Sequence, residues 1–330
     1  MNIVNFEKII SVGNLLLAWK EFLRGKRNKK DVQEFQLHLM DNVLSLHTDL
    51  KNKTYIHGGY YAFNISDPKP RNIHKASVRD RLLHHAVYRI LYPYFDSKFI
   101  YDSYSCRVHK GTHKAMNRFR DFFRKVSKNN TKTCWVLKCD IRKFFASIGH
   151  SVLKTILSKT VFDRDILWLL SQVIDSFQTQ KHIYAMADIC KGLPLGNLTS
   201  QLLVNIYMNE FDQFVKRELK IRYYIRYADD FVVLSNNKKE LEDLLPKISD
   251  FLNKELKLQL HPNKVFIKTF ASGVDFLGWV HFPKHRVLRT STKRKMLKNV
   301  KNNPKLTTVQ SYLGMLSHGN AYKLEGKIKA

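Results

Sequence analysis

Apolar positions in the first fifty residues recur with a helical period. Leu15, Leu16, Trp19, Phe22 and Leu23 share one stripe, a basic patch runs from Arg24 to Lys30, and Val32, Phe35, Leu37, Leu39, Val43, Leu44 and Leu46 form a second amphipathic stretch. Tyr55 to Phe63 is rich in glycine and aromatics, and Ser66 to Arg71, with Pro68 and Pro70, reads as a turn or extended link. A helix is expected from about Val78 through Leu83 and Val87 to Leu91, ended by Pro93. From Thr133 strands and helices alternate: a strand ending at Asp140, a helix from about His150 and another over Leu202–Leu219. A hairpin follows, then a helix from Lys238 to Leu256 and two or three short strands through Val265, Val274–Phe282 and Val287. The last forty residues are basic and helical in pattern.

The hairpin is the sharpest feature. Arg222 to Leu234 holds the adjacent acids Asp229 and Asp230 between two stretches rich in aromatic and β-branched residues, so a tight turn carries both charges. Adjacent carboxylates repel, and a clustered pair calls for a compensating cation. Asp140 ends a second apolar run that begins at Cys134. Three acids delivered from strand ends to one point suit a two-metal site for phosphoryl transfer. The plain alternatives are a polar hairpin turn for Asp229 and Asp230 and a cap for Asp140.

Composition narrows the partner. With 330 residues, 44% of them hydrophobic, the chain can bury a core of two or three subdomains. A formal charge of +29 points to a polyanion, and 12% aromatic content favours nucleic acid over an acidic membrane face. No apolar stretch reaches spanning length, and a membrane partner is not expected. Four cysteines without CxxC spacing read as reduced thiols of a cytoplasmic protein.

Other constellations gather around that idea. Phe144 and Phe145 follow Asp140. Phe144 reads as core, whereas a ring at Phe145 could fill the space a ribose 2′-hydroxyl needs. In Leu193 to Gln201, glycine and small polar residues permit close backbone approach to a ligand, and Thr199 or Ser200 could cap the following helix. Among Lys69, Arg71, Arg79 and Arg81, Arg71 stands out, because two prolines stiffen its approach and a guanidinium suits bidentate phosphate binding. Lys264 could donate a proton to departing pyrophosphate, although a plain surface lysine is the default. His74, His84 and His85 lack metal-like partners.

Taken in order, these segments resemble the reverse transcriptase blocks. They are Lys69-Pro70-Arg71, Asp80-Arg81, Asp102 to Arg107 with Lys110 to His113, Asp140 with Phe144-Phe145, Leu195 to Gln201, Tyr227 to Asp230, and Phe276 to Trp279. The resemblance runs from about Tyr55 to Phe282. It implies an α+β right-hand polymerase with fingers, palm and thumb, the antiparallel palm sheet backed by helices. The expected division is a helical N-terminal extension over 1–54, fingers and palm over 55–282 and a short basic thumb over 283–330. By the same resemblance Asp140, Asp229 and Asp230 hold two Mg²⁺ ions, Phe145 is the bulky gate, and Lys69, Arg71, Leu195, Gly196 and Gln201 face the incoming dNTP.

Most relatives carry Gln-Gly-x-x-x-Ser-Pro where this chain has Leu195 to Gln201; an apolar residue replaces the first glutamine, and Gln201 the proline. That looks like the reverse transcriptases of diversity-generating retroelements, which copy a template RNA with errors at adenines and use a small basic ring-forming accessory protein. Such enzymes resemble group II intron reverse transcriptases without maturase and endonuclease domains, and neither domain is expected after Phe282. The expected partners are template RNA, the RNA/DNA hybrid and dNTPs. Alternatives are a group II intron-like or defence-associated reverse transcriptase, a viral-type RNA polymerase, or an RNA-binding scaffold with a decayed site.

Overall fold

The computed structural model describes residues 4–66, 70–178 and 190–329. The chain divides into two compact units, the first built from residues 1–101, 142–214 and 251–259, the second from 102–141, 215–250 and 260–330.

In the first unit α1 (Phe6–Ile10), α2 (Val12–Phe22), α3 (Lys30–Leu37) and α4 (Leu39–Lys51) lead to a hairpin of β1 (Tyr60–Ile65) and β2 (Arg71–Ala76), then α5 (Val78–Asp96). The second amphipathic stretch is thus two helices: His38 leaves helical geometry (φ −118°, ψ 40°), and Leu37 and Leu44 are exposed. The sequence pattern assigns no strand to β1 or β2, because residues on both faces of the ribbon are exposed and leave no alternation to detect. α5 runs past Pro93 to Asp96, since Leu91, Tyr92 and Phe95 are buried on either side of the proline and packing outweighs one lost hydrogen bond.

Later in the chain this unit receives α7 (Phe144–Ser147), α8 (His150–Ser158), α9 (Arg164–Asp175) and α10 (Leu198–Gln213). α10 starts earlier than its apolar pattern suggests. Asn197 is its N-cap residue, and Thr199 and Ser200 lie buried within the first turn, so neither caps it. α5 packs against α1, α2, α3 and α10.

The second unit holds α6 (Thr112–Val126), β3 (Trp135–Asp140), β4 (Tyr224–Tyr227), β5 (Asp230–Ser235) and most of α11 (Lys238–Lys254). β6 (Phe266–Thr269), β7 (Val274–Phe276), β8 (Trp279–His281), β9 (Arg286–Leu288), α12 (Thr290–Asn302), α13 (Leu306–Leu316) and α14 (Tyr322–Lys329) complete it. Its central sheet is antiparallel in the order β4-β5-β3-β6, and β7-β8-β9 form a second antiparallel sheet. Phe119, Phe122 and Phe123 of α6 pack with Ile225, Val232 and Leu234 of the central sheet and with Phe270 and Phe276. Trp279, Leu288 and Met296 share a further core with Met116, Leu316 and Ile328. No described helix is long and apolar enough to cross a membrane.

Candidate active site

Register brings the acids together. In the antiparallel β3–β5 pair Asp140 lies directly opposite Asp230, so both side chains leave the same face with Cβ atoms about 5 Å apart. Asp229 sits in the two-residue turn between Tyr227 and Asp230, whose backbones pair. The turn is held by its surroundings: Ala228 has φ +55°, a region where a side chain costs about 1–2 kcal/mol and glycine is favoured. The backbone of Ile141 donates to the Asp229 carbonyl at 3.2 Å, and His261 donates to the Asp140 carbonyl at 2.7 Å. Both connections fix the end of β3 against the hairpin.

Arg226 supports the turn from below. It is 1% exposed, donates from Nη1 to the Ala228 carbonyl at 3.2 Å and from Nη2 to Ser103 Oγ at 3.1 Å. Its own backbone pairs with the Asp102–Tyr104 segment, and Arg118 Nε clamps Asp102 at 2.8 Å. Arg226→Leu is therefore expected to destabilise the fold by about 2–4 kcal/mol in urea denaturation, because a buried and a part-buried acceptor lose their donor. A loss below about 1 kcal/mol would place the turn's support elsewhere.

Two lysines neutralise the acids. Lys264 Nζ lies 3.0 Å from Asp140 Oδ1, and Lys138 Nζ lies 3.3 Å from Asp230 Oδ2 while donating to the Asp275 carbonyl at 2.8 Å. Asp230 Oδ1 is buried with no hydrogen-bond partner. Burial pushes the Asp230 carboxyl up to about 7; Lys138 opposes the rise, and Asp140 and Asp229 add to it. An orphaned carboxylate oxygen beside two further acids is the donor chemistry a hard cation needs. Among the described residues no three His, Cys, Asp or Glu side chains form a closed ion-binding group.

The other residues singled out in the sequence lie in the first unit or outside the described residues. Lys69 is outside them. Arg71 is exposed at the start of β2, opposite Ile65, whereas Arg79 and Arg81 are tied to Asp49 and Asp31. Those two are structural ion pairs, which separates Arg71 from its basic neighbours. The Leu195 carbonyl accepts from His74 of β2 at 3.0 Å, Asn197 Nδ2 donates to the His74 carbonyl at 3.1 Å, and Leu193 donates to the Phe145 carbonyl at 2.9 Å. Gly196 has φ +108°, and a Cβ there would come within 2.9 Å of Ile73 Cγ2. This network brings Phe145, Leu195 and Gly196 together along β2. Phe145, Leu195 and Gln201 are half-buried, and Phe144 is core. His84 is buried, with Nε2 3.1 Å from His57 Nε2, while His74 packs edge-on to Phe177.

Lys138 and Arg226 were missed in the sequence. Each is a single charge inside an apolar strand run, beside an acid already singled out, and that interruption was the available signal.

Fold and comparisons agree on the class. The structure is similar to one of apo telomerase from Candida tropicalis truncated from its C-terminal domain, with TM-score 0.51 and 14% identity over 76% of this chain and 60% of that one. That likeness defines an α+β right-hand polymerase fold. Residues 65–281 match the family described as reverse transcriptase (RNA-dependent DNA polymerase), and the chain belongs to it. Among curated proteins it is similar to Protein YkfC of Escherichia coli (strain K12), 25% identical over 260 residues, 69% of this chain and 66% of that protein. It is also similar to the group II intron-encoded protein LtrA of Lactococcus lactis subsp. cremoris, 21% identical over 281 residues, 66% of this chain and 45% of that protein. The chain thus spans two thirds or less of the length of these relatives.

Proposed function

We propose that the chain is an RNA-directed DNA polymerase that copies a template RNA into cDNA, of the diversity-generating retroelement type. The observation that carries the polymerase reading is the cross-strand opposition of Asp140 and Asp230 beside the Asp229 turn. In this reading these three residues would hold two Mg²⁺ ions, whose Lewis-acid charge would assist attack of a primer 3′-hydroxyl on the α-phosphate of a dNTP and departure of pyrophosphate. Lys264, already in contact with Asp140, exchanges its partner for the leaving group and acts as general acid. Arg71 and Lys69 bind the triphosphate, Arg71 bidentately. Phe145 excludes a ribose 2′-hydroxyl by bulk.

The subtype rests on Leu195. A glutamine near the nascent pair can hydrogen-bond and fix the nucleotide; leucine offers only van der Waals contact, so a mispair leaves fewer buried polar groups unsatisfied. Leu195→Gln is expected to lower misincorporation opposite template adenine about 10-fold in primer extension with sequenced products. An unchanged error spectrum would remove Leu195 from the explanation. Similarity to LtrA favours a second reading, a group II intron-like reverse transcriptase. cDNA made on a mixed template separates the two, because that enzyme would show no excess of errors at adenine.

The remaining proposals follow from this reading. Residues 1–54 form an N-terminal extension, 55–282 fingers and palm, and 283–330 a basic thumb. Template RNA, the RNA/DNA hybrid and a small basic ring-forming protein are the partners. Four free thiols suit a cytoplasmic setting.

A further inference from the structure

α6 has one face turned away from the core. Ala115, Met116, Phe119, Phe122, Phe123 and Val126 are buried against the second unit's core. The opposite face ends in a concavity of about 450 Å³ lined by Arg118, Asp121, Arg124, Lys125, Lys128 and Asn129. Arg118 is committed to Asp102. Arg124, Lys125 and Lys128 are exposed, and their side chains have no ion-pair partner among the described residues, although Asp121 shares the concavity.

The loop that closes the concavity is held in a costly conformation. Lys128, Asn129 and Asn130 are consecutive residues with φ of 48°, 58° and 71°. Left-handed geometry costs a non-glycine residue roughly 1–2 kcal/mol, and it persists where the surroundings over-determine it. Here they do. Asn130 donates to the Oγ of fully buried Ser127 at 2.8 Å, Thr131 and Lys132 donate to its carbonyl at 2.9 and 2.8 Å, and Asn129 donates to the Arg124 carbonyl at 2.8 Å. The Arg124 carbonyl in the helix's last turn is thereby satisfied, and Lys128 and Asn129 stand beside Arg124 and Lys125.

We propose that this concavity grips the phosphate backbone of double-stranded RNA at a second site, away from the aspartates. Three cations without local partners, one polar side chain and no exposed aromatic match a backbone and not a base. No exposed apolar residue lines the concavity, as a protein interface core or an inserting membrane face would require. Distance makes it a second site. The N-terminal end of α6 meets the aspartate hairpin, where Thr112 Oγ1 donates to Tyr227 Oη at 3.2 Å, while Arg124, Lys125 and Lys128 lie at or beyond its C-terminal end, roughly 20 Å along the helix axis. Arg124 and Lys125, in the last turn of α6, and Lys128, just beyond it, place three cations within reach of neighbouring phosphates of one strand. The proposal rests on the polymerase reading only in taking RNA as the available polyanion.

The test uses the full chain and a fluorescent RNA hairpin, with no primer or dNTP, so failed polymerisation cannot obscure it. Arg124→Gln, Lys125→Gln and Lys128→Gln together should weaken binding at least about 10-fold near physiological salt and reduce the log–log salt slope by about 2 to 3. A control removing the same charge from α11 (Lys238→Gln, Lys239→Gln, Lys247→Gln) should lose far less, and both variants should melt like the parent. Equal losses in the two variants, or an unchanged slope in the first, would overturn the proposal. So would preserved RNA affinity with lost binding to polyglutamate or to phosphatidylserine vesicles, which would assign the surface to an acidic protein or a membrane.

Discussion

Replacing Asp229 with Ala, or Asp140 with Asn, is expected to reduce primer extension at least about 10³-fold, about 4 kcal/mol of barrier, and to leave RNA binding intact. The two substitutions separate charge from structure. Asn at position 140 keeps the shape and the backbone bond to His261 but can no longer neutralise a cation. Ala at position 229 keeps the carbonyl that accepts from Ile141, so the turn stays joined to the end of β3. RNA binding is expected to draw on cations and not on carboxylates, so losing one acid is not expected to reduce it. Single-turnover extension and fluorescence anisotropy on the same preparations make the comparison. Extension within about 10-fold of the parent in both variants would move the chemistry away from this hairpin.

Legibility in the sequence followed the strength of local pattern. The strand ending at Asp140 and the hairpin around Asp229 lie where β3, β4 and β5 are, because β-branched and aromatic runs bounded by a tight turn have few other solutions. Their register, which sets Asp140 against Asp230, is a tertiary property that no local pattern carries. The β1–β2 ribbon escaped notice because residues on both its faces meet solvent. Pro93 read as a stop, although helix packing on both sides carries α5 through it. Lys138 and Arg226 are single charges inside strand runs, and only the fold shows each as the cation under an acidic turn. Arg71 stands out in the sequence by its flanking prolines, but the pairing of Arg79 and Arg81 with Asp49 and Asp31, 30 and 50 residues away, is a tertiary property that no local pattern carries.

The hairpin also sets a pH dependence whose direction is unusual for an acidic residue. Asp230, raised to about 7 chiefly by burial, holds a proton in the folded protein that the unfolded chain has released above about pH 4. The folded state therefore binds more protons, and the stability of the metal-free protein falls as pH rises from about 4 to about 7, then levels off. Three pH units correspond to at most about 4 kcal/mol, with Lys138 holding the cost below what burial alone would impose. Asp230→Asn is expected to flatten this fall, leaving stability near pH 4 unchanged and raising it at pH 8 by up to the same amount. Adding Mg²⁺ to the parent should shrink the slope too, because an ion at the orphaned Oδ1 favours the charged form. Urea denaturation across that range, with and without Mg²⁺, reads both effects. Parallel curves for parent and variant would mean that Asp230 is already ionised near pH 5, with Lys138 alone compensating its burial and no stability held in reserve for a metal to recover.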